Sequence, residues 1–455
     1  MDKTTETLAR YVTSLSYENV TPAAIHETKK RLIDSFGCAI GGYHSEPAQI
    51  ARRLAATSNG VPPARVLGSG DLTSMEMAAF ANSVMVRYLD FNDTYISAGG
   101  GHPSDMVPAI LAVADAHHAG GREVLVATVA AYEVFGALAD VVPIRDKGWD
   151  HGLLVVLGSA AGAGKLLRLT NEQMGDALAL AISANVPTRQ TRSGELSMWK
   201  GCATAASARA GVFAALLAKE GMTGPTEAFE GRHGIWQQVT GPFKIGTLGG
   251  DETPFAVERS NLKYFPTEYH SQAPLWVALS LRQKARIEDI AAVNVQIYYN
   301  AYSELGSEPQ KWDPQTRETA DHSLPYLLAS ALRDGVITVA SFSEERIRDK
   351  SLRSLMSRIK ISENPEFTRR FPAAMISQIE VVTKTGERYM EQASYPKGHI
   401  RNPMSDAEVE SKFNEMCRAM LQPERCQEIL DALWSLEDVQ DAGEVLELVR
   451  IEKPQ

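Results

Sequence analysis

Apolar residues recur at helical spacing through the first 265 positions, and this period gives way to strand-like alternation only beyond that point. In "TPAAIHETKKRLIDSFG", Thr21 is placed as an N-cap and Pro22 at the first helical position. Ile25, Leu32 and Phe36 form a buried stripe that is expected to stop near Gly37. Thr170 and Gln173 form a capping box ahead of "NEQMGDALALAISAN". The Ala-rich stretches 122–140 and 198–219 suit helices that pack closely inside a bundle.

After residue 265 the segment "AAVNVQIYY" sets Val293, Val295, Ile297 and Tyr299 against Asn294, Gln296 and Tyr298, the period of a half-buried strand. "SQIEVVTKTGERYMEQ" reads as two strands joined through residues 384–387, and "SRIKI" as a third, with helical patterns at 322–333 and 343–356. Past "YPKGHIRNP" the helical period returns behind a second capping box, Ser405 with Glu408. Strands confined to one region do not make alternating βαβ units. The expected fold is therefore mainly α: a large helical domain, residues 1–265 and 399–455, interrupted by a smaller α+β lid at 266–398.

The chain's 455 residues are ample for a large core, and 44% hydrophobic with 22% charged residues is a globular balance, so disorder is not the default. A net charge of −10, without a long Lys/Arg block, speaks against nucleic acid or an anionic membrane as partner. The N-terminus lacks the apolar core of a signal peptide, and the longest greasy run, "VLVATVAAY", is too short to span a bilayer, so a cytoplasmic protein is expected. Cys38, Cys202, Cys417 and Cys426 have no CxxC spacing and read as reduced, mostly buried thiols. "GSAAGAGK" fails as a phosphate loop, because Ser159 stands where glycine is required and Leu166 where Ser or Thr is required.

The chemistry concentrates in a few loops. "LDFNDTYISAGGGHPSD" sets Asp90 and Asp93 three apart, on one face if the preceding helix continues. Three glycines then bring the chain round to His102 at the start of a helix, with Ser104 or Asp105 as its cap. "GWDHG" places His151 beside Asp150 ahead of another helix. Removing a C–H proton and protonating a leaving hydroxyl ask for two groups that titrate near neutrality, which two imidazoles supply. "RQTRSGELSMWKG" contributes Arg192 and Lys200 as a carboxylate clamp. "NLKYFPTEYHSQ" adds Lys263 and His270 near the domain junction, where pockets form, and "ADHSLPY" adds His322 and Tyr326. No HxxxH or HxH spacing supports a metal site.

The motifs "YLDFNDTY", "GHPSD", "GWDHG", "MWKGCATAASARAG", "KYFPTEYHSQ", "ADHSLPY" and "PKG" together make the chain resemble the MmgE/PrpD family along most of its length. That resemblance implies a helical core with an α+β lid, a homodimer, and catalysis on small polycarboxylates without metal or cofactor. It implies site residues at Asp93, His102, Lys200, Lys263 and Tyr326, with His151 in the form found in the dehydratases. The activity so implied is a hydro-lyase dehydrating 2-methylcitrate or a similar hydroxy-polycarboxylate. In this reading Asp93, His102, His151, Lys200 and Tyr326 are catalytic, while Lys263, Arg192, His270 and His322 bind substrate. The alternatives are a cis-aconitate-type decarboxylase, an epimerase, and a non-catalytic carboxylate-binding or scaffold protein.

Overall fold

A computed structural model describes residues 1–250 and 252–452. Helices dominate it, and the only sheets among the described residues are a two-stranded ribbon and one of four strands. Two compact units emerge: residues 1–191, 201–262 and 405–455 in the first, residues 192–200 and 263–404 in the second.

The first unit is built around three buried helices. Gly152–Leu166 packs between Gly121–Ala139 and Ala203–Lys219, and Met75–Tyr88 lies against the last of these. Small residues set these distances. A side chain on Gly211 would stand 2.7 Å from the Val156 carbonyl oxygen, so only glycine admits the close helix crossing there. "GSAAGAGK" is the interior of Gly152–Leu166, consistent with the absence of a phosphate-loop pattern.

Thr21 caps its helix as expected, its side chain accepting from the Ala24 N–H, but the helix runs Pro22–Gly42 rather than stopping near Gly37. Gly37 is a packing position, not a terminator. A Cβ there would stand 2.6 Å from Met416 Cε and 3.3 Å from Phe413 Cα on the returning helix Asp406–Cys417. Both anticipated capping boxes are present: Thr170 with Gln173, and Ser405 with Glu408. All four cysteines are buried and none is in a disulfide, and among the described residues no helix is long and apolar enough to cross a membrane.

In the second unit the strand order is Ile359–Glu363, Ile290–Ile297, Ser377–Thr383, Arg388–Ala393. The first pair is parallel and the other two are antiparallel. Val293, Val295 and Ile297 point inward, continued by Ser377, Ile379, Val381 and Thr383 on the neighbouring strand. Helix Gln272–Leu281 packs on this sheet and against helix Leu324–Asp334. The alternation stops earlier than its pattern suggested. Tyr298 is buried, while Tyr299 is 54% exposed and opens helix Tyr299–Leu305.

The "PKG" turn carries a titratable group. His399 Nδ1 accepts the Arg401 N–H at 3.0 Å, which requires an unprotonated nitrogen. Burial, with the nearby Arg401 charge, pushes its pKa down to about 4. The unfolded chain takes up this proton below about 6.5 while the folded chain resists until about 4, so stability is lost as pH falls through that window. Urea unfolding at pH 7 and pH 4.5 is expected to show a drop in the wild type about 2 kcal/mol larger than in His399→Asn. Equal drops would remove His399 from the acid response.

Candidate active site

Helix Met75–Tyr88 ends before the acidic loop, so Asp90 and Asp93 do not share a helical face. Asp90 instead adopts a left-handed backbone (φ 52°), a conformation that Asp tolerates better than most residues. The loop is then clamped by main-chain bonds. Tyr95 and Gly101 exchange N–H···O bonds of 2.7 and 3.0 Å, Thr94 and Asn261 exchange bonds of 2.8 and 2.7 Å, and Gly99 N–H donates to the Ala139 carbonyl at 2.7 Å. Gly101 sits at φ 155°, and a Cβ there would lie 2.8 Å from the Cβ, Cγ and Cδ2 atoms of His151. The glycine is what lets the ring of His151 seat against this loop.

His102 follows and precedes a short 3-10 turn, Pro103–Met106, that leads into helix Val107–Ala116. Neither Ser104 nor Asp105 caps that helix. Asp93 supplies the acceptor from outside: its Oδ1 accepts the Ser104 N–H and its Oδ2 accepts the Tyr132 hydroxyl, both at 2.9 Å. Full burial raises the Asp93 pKa, against the opposing pull of these hydrogen bonds. Its link to the imidazole is the backbone, since the Asp93 carbonyl lies 2.7 Å from His102 Nδ1. A carbonyl only accepts, so Nδ1 carries the proton and the neutral ring presents its lone pair at Nε2.

His102 and His151 pack edge to face with centroids 5.3 Å apart. His151 lies between two carboxylates, with Nδ1 3.6 Å from Asp150 Oδ1 and Nε2 3.7 Å from Asp105 Oδ2. Asp105 is held by Asn92 Nδ2 at 2.8 Å, and Asp90 by Arg87 Nη1 at 2.6 Å. His102 Nε2 is 4.0 Å from Asp90 Oδ1, and Arg87 Nε is 3.8 Å from Asp105 Oδ2. One buried arginine thus stands beside two carboxylates, each of which faces one imidazole. Arg87 carried no sequence signal, being one of two charged residues on an otherwise largely apolar helix, and Asp105 had the spacing of a helix cap. Gly101→Ala is expected to displace the His151 ring and to lower the rate of the reaction proposed below about 100-fold with helix content retained. Unchanged turnover would mean that the ring's seat is immaterial.

The second unit gathers a cationic cluster. Lys200, buried in its own short turn, donates to Asp321 Oδ1 at 2.8 Å and lies 3.2 Å from His322 Nδ1. His322 Nδ1 lies 2.6 Å from the same Asp321 oxygen, so that nitrogen carries a proton and Nε2 the lone pair when the ring is neutral. Arg317 Nη1 is 3.6 Å from Asp321 Oδ2, which puts two cations around one carboxylate. Arg192 braces the Lys200 turn by donating to the Lys200 carbonyl at 2.7 Å.

Other anticipated residues of this unit have different surroundings. Lys263 is fully buried at the start of the second segment. His270 is enclosed by Tyr298 and Phe371, its Nδ1 2.5 Å from the Tyr298 hydroxyl. Tyr326, expected to be catalytic from the family resemblance, is completely buried in helix Leu324–Asp334 and donates its hydroxyl proton to the Ser341 carbonyl at 2.5 Å. That geometry makes it a brace between two segments of the second unit. Burial also raises its pKa.

Comparison with known proteins accounts for most of the chain. The MmgE/PrpD N-terminal domain matches residues 6–247 and the MmgE/PrpD C-terminal domain matches residues 265–436. A 2-methylcitrate dehydratase of Salmonella typhi is 29% identical over 415 residues, covering 85% of this chain and 84% of that protein. Human cis-aconitate decarboxylase is 26% identical over 477 residues, covering 99% of this chain and 95% of that protein. A fungal alkylcitrate dehydratase is 28% identical, covering 88% and 85%. The chain belongs to the MmgE/PrpD family.

Proposed function

We propose that this protein is a lyase that removes water from 2-methylcitrate or a similar hydroxy-polycarboxylate, using its own side chains for acid–base chemistry. The observation that carries the reading is the imidazole pair, in which the Asp93 carbonyl fixes the His102 tautomer and two carboxylates flank His151. The dehydratase names of two of the relatives above supply the substrate class.

In this reading His102 Nε2 takes the proton from the carbon next to a carboxylate. The electron pair left behind delocalises into that carboxylate and then forms the alkene as the neighbouring C–O bond breaks. His151, flanked by Asp150 and Asp105, gives its proton to the departing hydroxyl, which leaves as water. Asp93 is a positioning residue that orients His102. Lys200 and Lys263 hold substrate carboxylates and offset the developing charge, at about 3 kcal/mol per well-placed donor. Arg192 supports Lys200, and His322 is a further donor to the substrate. His270 and Tyr326 support the shape of the second unit.

Incubating metal-stripped protein with a panel of hydroxy tricarboxylates should produce the ultraviolet absorbance of a conjugated alkene and a product lighter by one water. Folded protein that transforms none of them would defeat the reading. The second reading is decarboxylation, favoured by the match to human cis-aconitate decarboxylase over almost the whole chain. The same base and cations serve that reaction, and release of carbon dioxide would identify it.

A further inference from the structure

Two of the four thiols, both in the first unit, lie well away in sequence from the acid–base loops. Cys417 is the last residue of helix Asp406–Cys417, and Cys426 lies in the first turn of Pro423–Trp434, the next helix along. The two helices pack against each other through a tight connection, in which the Met420 and Leu421 N–H groups both bond the Cys417 carbonyl and the Cys426 N–H bonds that of Gln422. A cavity of about 510 Å³ reaches Cys426, bordered by Asn414, Arg418 and Pro423. The thiols differ in character. The neighbouring Cys417 thiol, with the backbone of Cys426 itself, holds the Cys426 pKa down to about 7, whereas burial pushes that of Cys417 up.

We propose that Cys426 reacts with small hydroperoxides entering through this cavity and that Cys417 then closes a reversible Cys417–Cys426 disulfide. The Cys426 thiolate attacks one peroxide oxygen, the O–O bond breaks, and a sulfenic acid forms as hydroxide departs. The Cys417 sulfur attacks the sulfenic sulfur, the S–S bond forms, and the S–O bond breaks with loss of water. Both sulfurs are oxidised by one electron each, and hydrogen peroxide gives hydroxide and one water, the hydroxide becoming a second water with the proton that Cys426 lost on ionising. Cys417 acts as the resolving thiol, which stops oxidation before the irreversible sulfinic stage. The Cys417 proton passes to the departing oxygen, so the step needs no outside base.

The test treats the intact folded protein with hydrogen peroxide, blocks remaining thiols in denaturant, and maps tryptic peptides by mass. The expected product joins Phe413–Arg418 to Cys426–Arg450, lighter than the two peptides together by about 2 Da and returned to them by dithiothreitol. Cys417→Ala should instead carry Cys426 on to sulfinic acid, about 32 Da heavier, while Cys38→Ala and Cys202→Ala leave the crosslink unchanged. Circular dichroism checks that each variant is folded. The proposal is overturned by a Cys426 that resists peroxide in the native protein, by a disulfide to Cys38, or by wild-type Cys426 going to sulfinic acid with Cys417 still open to alkylation.

Discussion

His102→Gln is expected to lower kcat for dehydration by about 10² to 10⁴, the range that a positioned general base supplies, with KM nearly unchanged. The substitution keeps a planar polar group able to donate to the Asp93 carbonyl, which His102 Nδ1 now approaches at 2.7 Å, but no atom that accepts a proton near neutral pH. Initial rates at saturating substrate check this, alongside urea unfolding to confirm that the fold persists. A kcat within threefold of wild type would take His102 out of the proton transfer. A raised KM at constant kcat would recast it as a binding group.

The second large effect concerns stability. Lys412, on helix Asp406–Cys417, pairs with Asp34 Oδ1 at 2.6 Å, donates to the Phe91 carbonyl at 2.8 Å, and lies 3.8 Å from the centroid of the Phe91 ring. Asp34 is fully buried on the packed helix Pro22–Gly42. Lys412→Met takes this ammonium away from a carboxylate that water does not reach, at an expected cost of about 3–5 kcal/mol in unfolding free energy. Adding Asp34→Asn removes the buried charge and should restore at least half of the loss. Equal stability of the single and double variants would show that the pair is not the source. Because Phe91 sits next to Asp90, the single variant should also lower turnover by loosening the acid–base loop.

Local signals made much of the fold legible. The boxes at Thr170/Gln173 and Ser405/Glu408 are closed within four residues, and Val293, Val295 and Ile297 alternate within one strand. Signals that depend on distant partners misled. Gly37 has the look of a terminator, yet its meaning lies in Phe413 and Met416, which only folding brings to it. Asp105 has the spacing of a helix cap, whereas its carboxylate faces His151, a contact that chain order does not encode. Tyr326 sits in a motif rich in polar groups, but its hydroxyl is spent on the Ser341 carbonyl. The histidines, lysines and loop glycines stand out in the sequence because few structural roles ask for those residue types together. Arg87 does not, since only the folded loop turns two carboxylates toward it.

In the reaction proposed above, His102 accepts and His151 donates a proton in the same turnover, and the pH dependence of kcat/KM for dehydration reads both events. The profile is expected to be a bell, with the limb that reports the base abolished in His102→Gln. A flat profile between pH 5 and pH 8.5 in the wild type would contradict it.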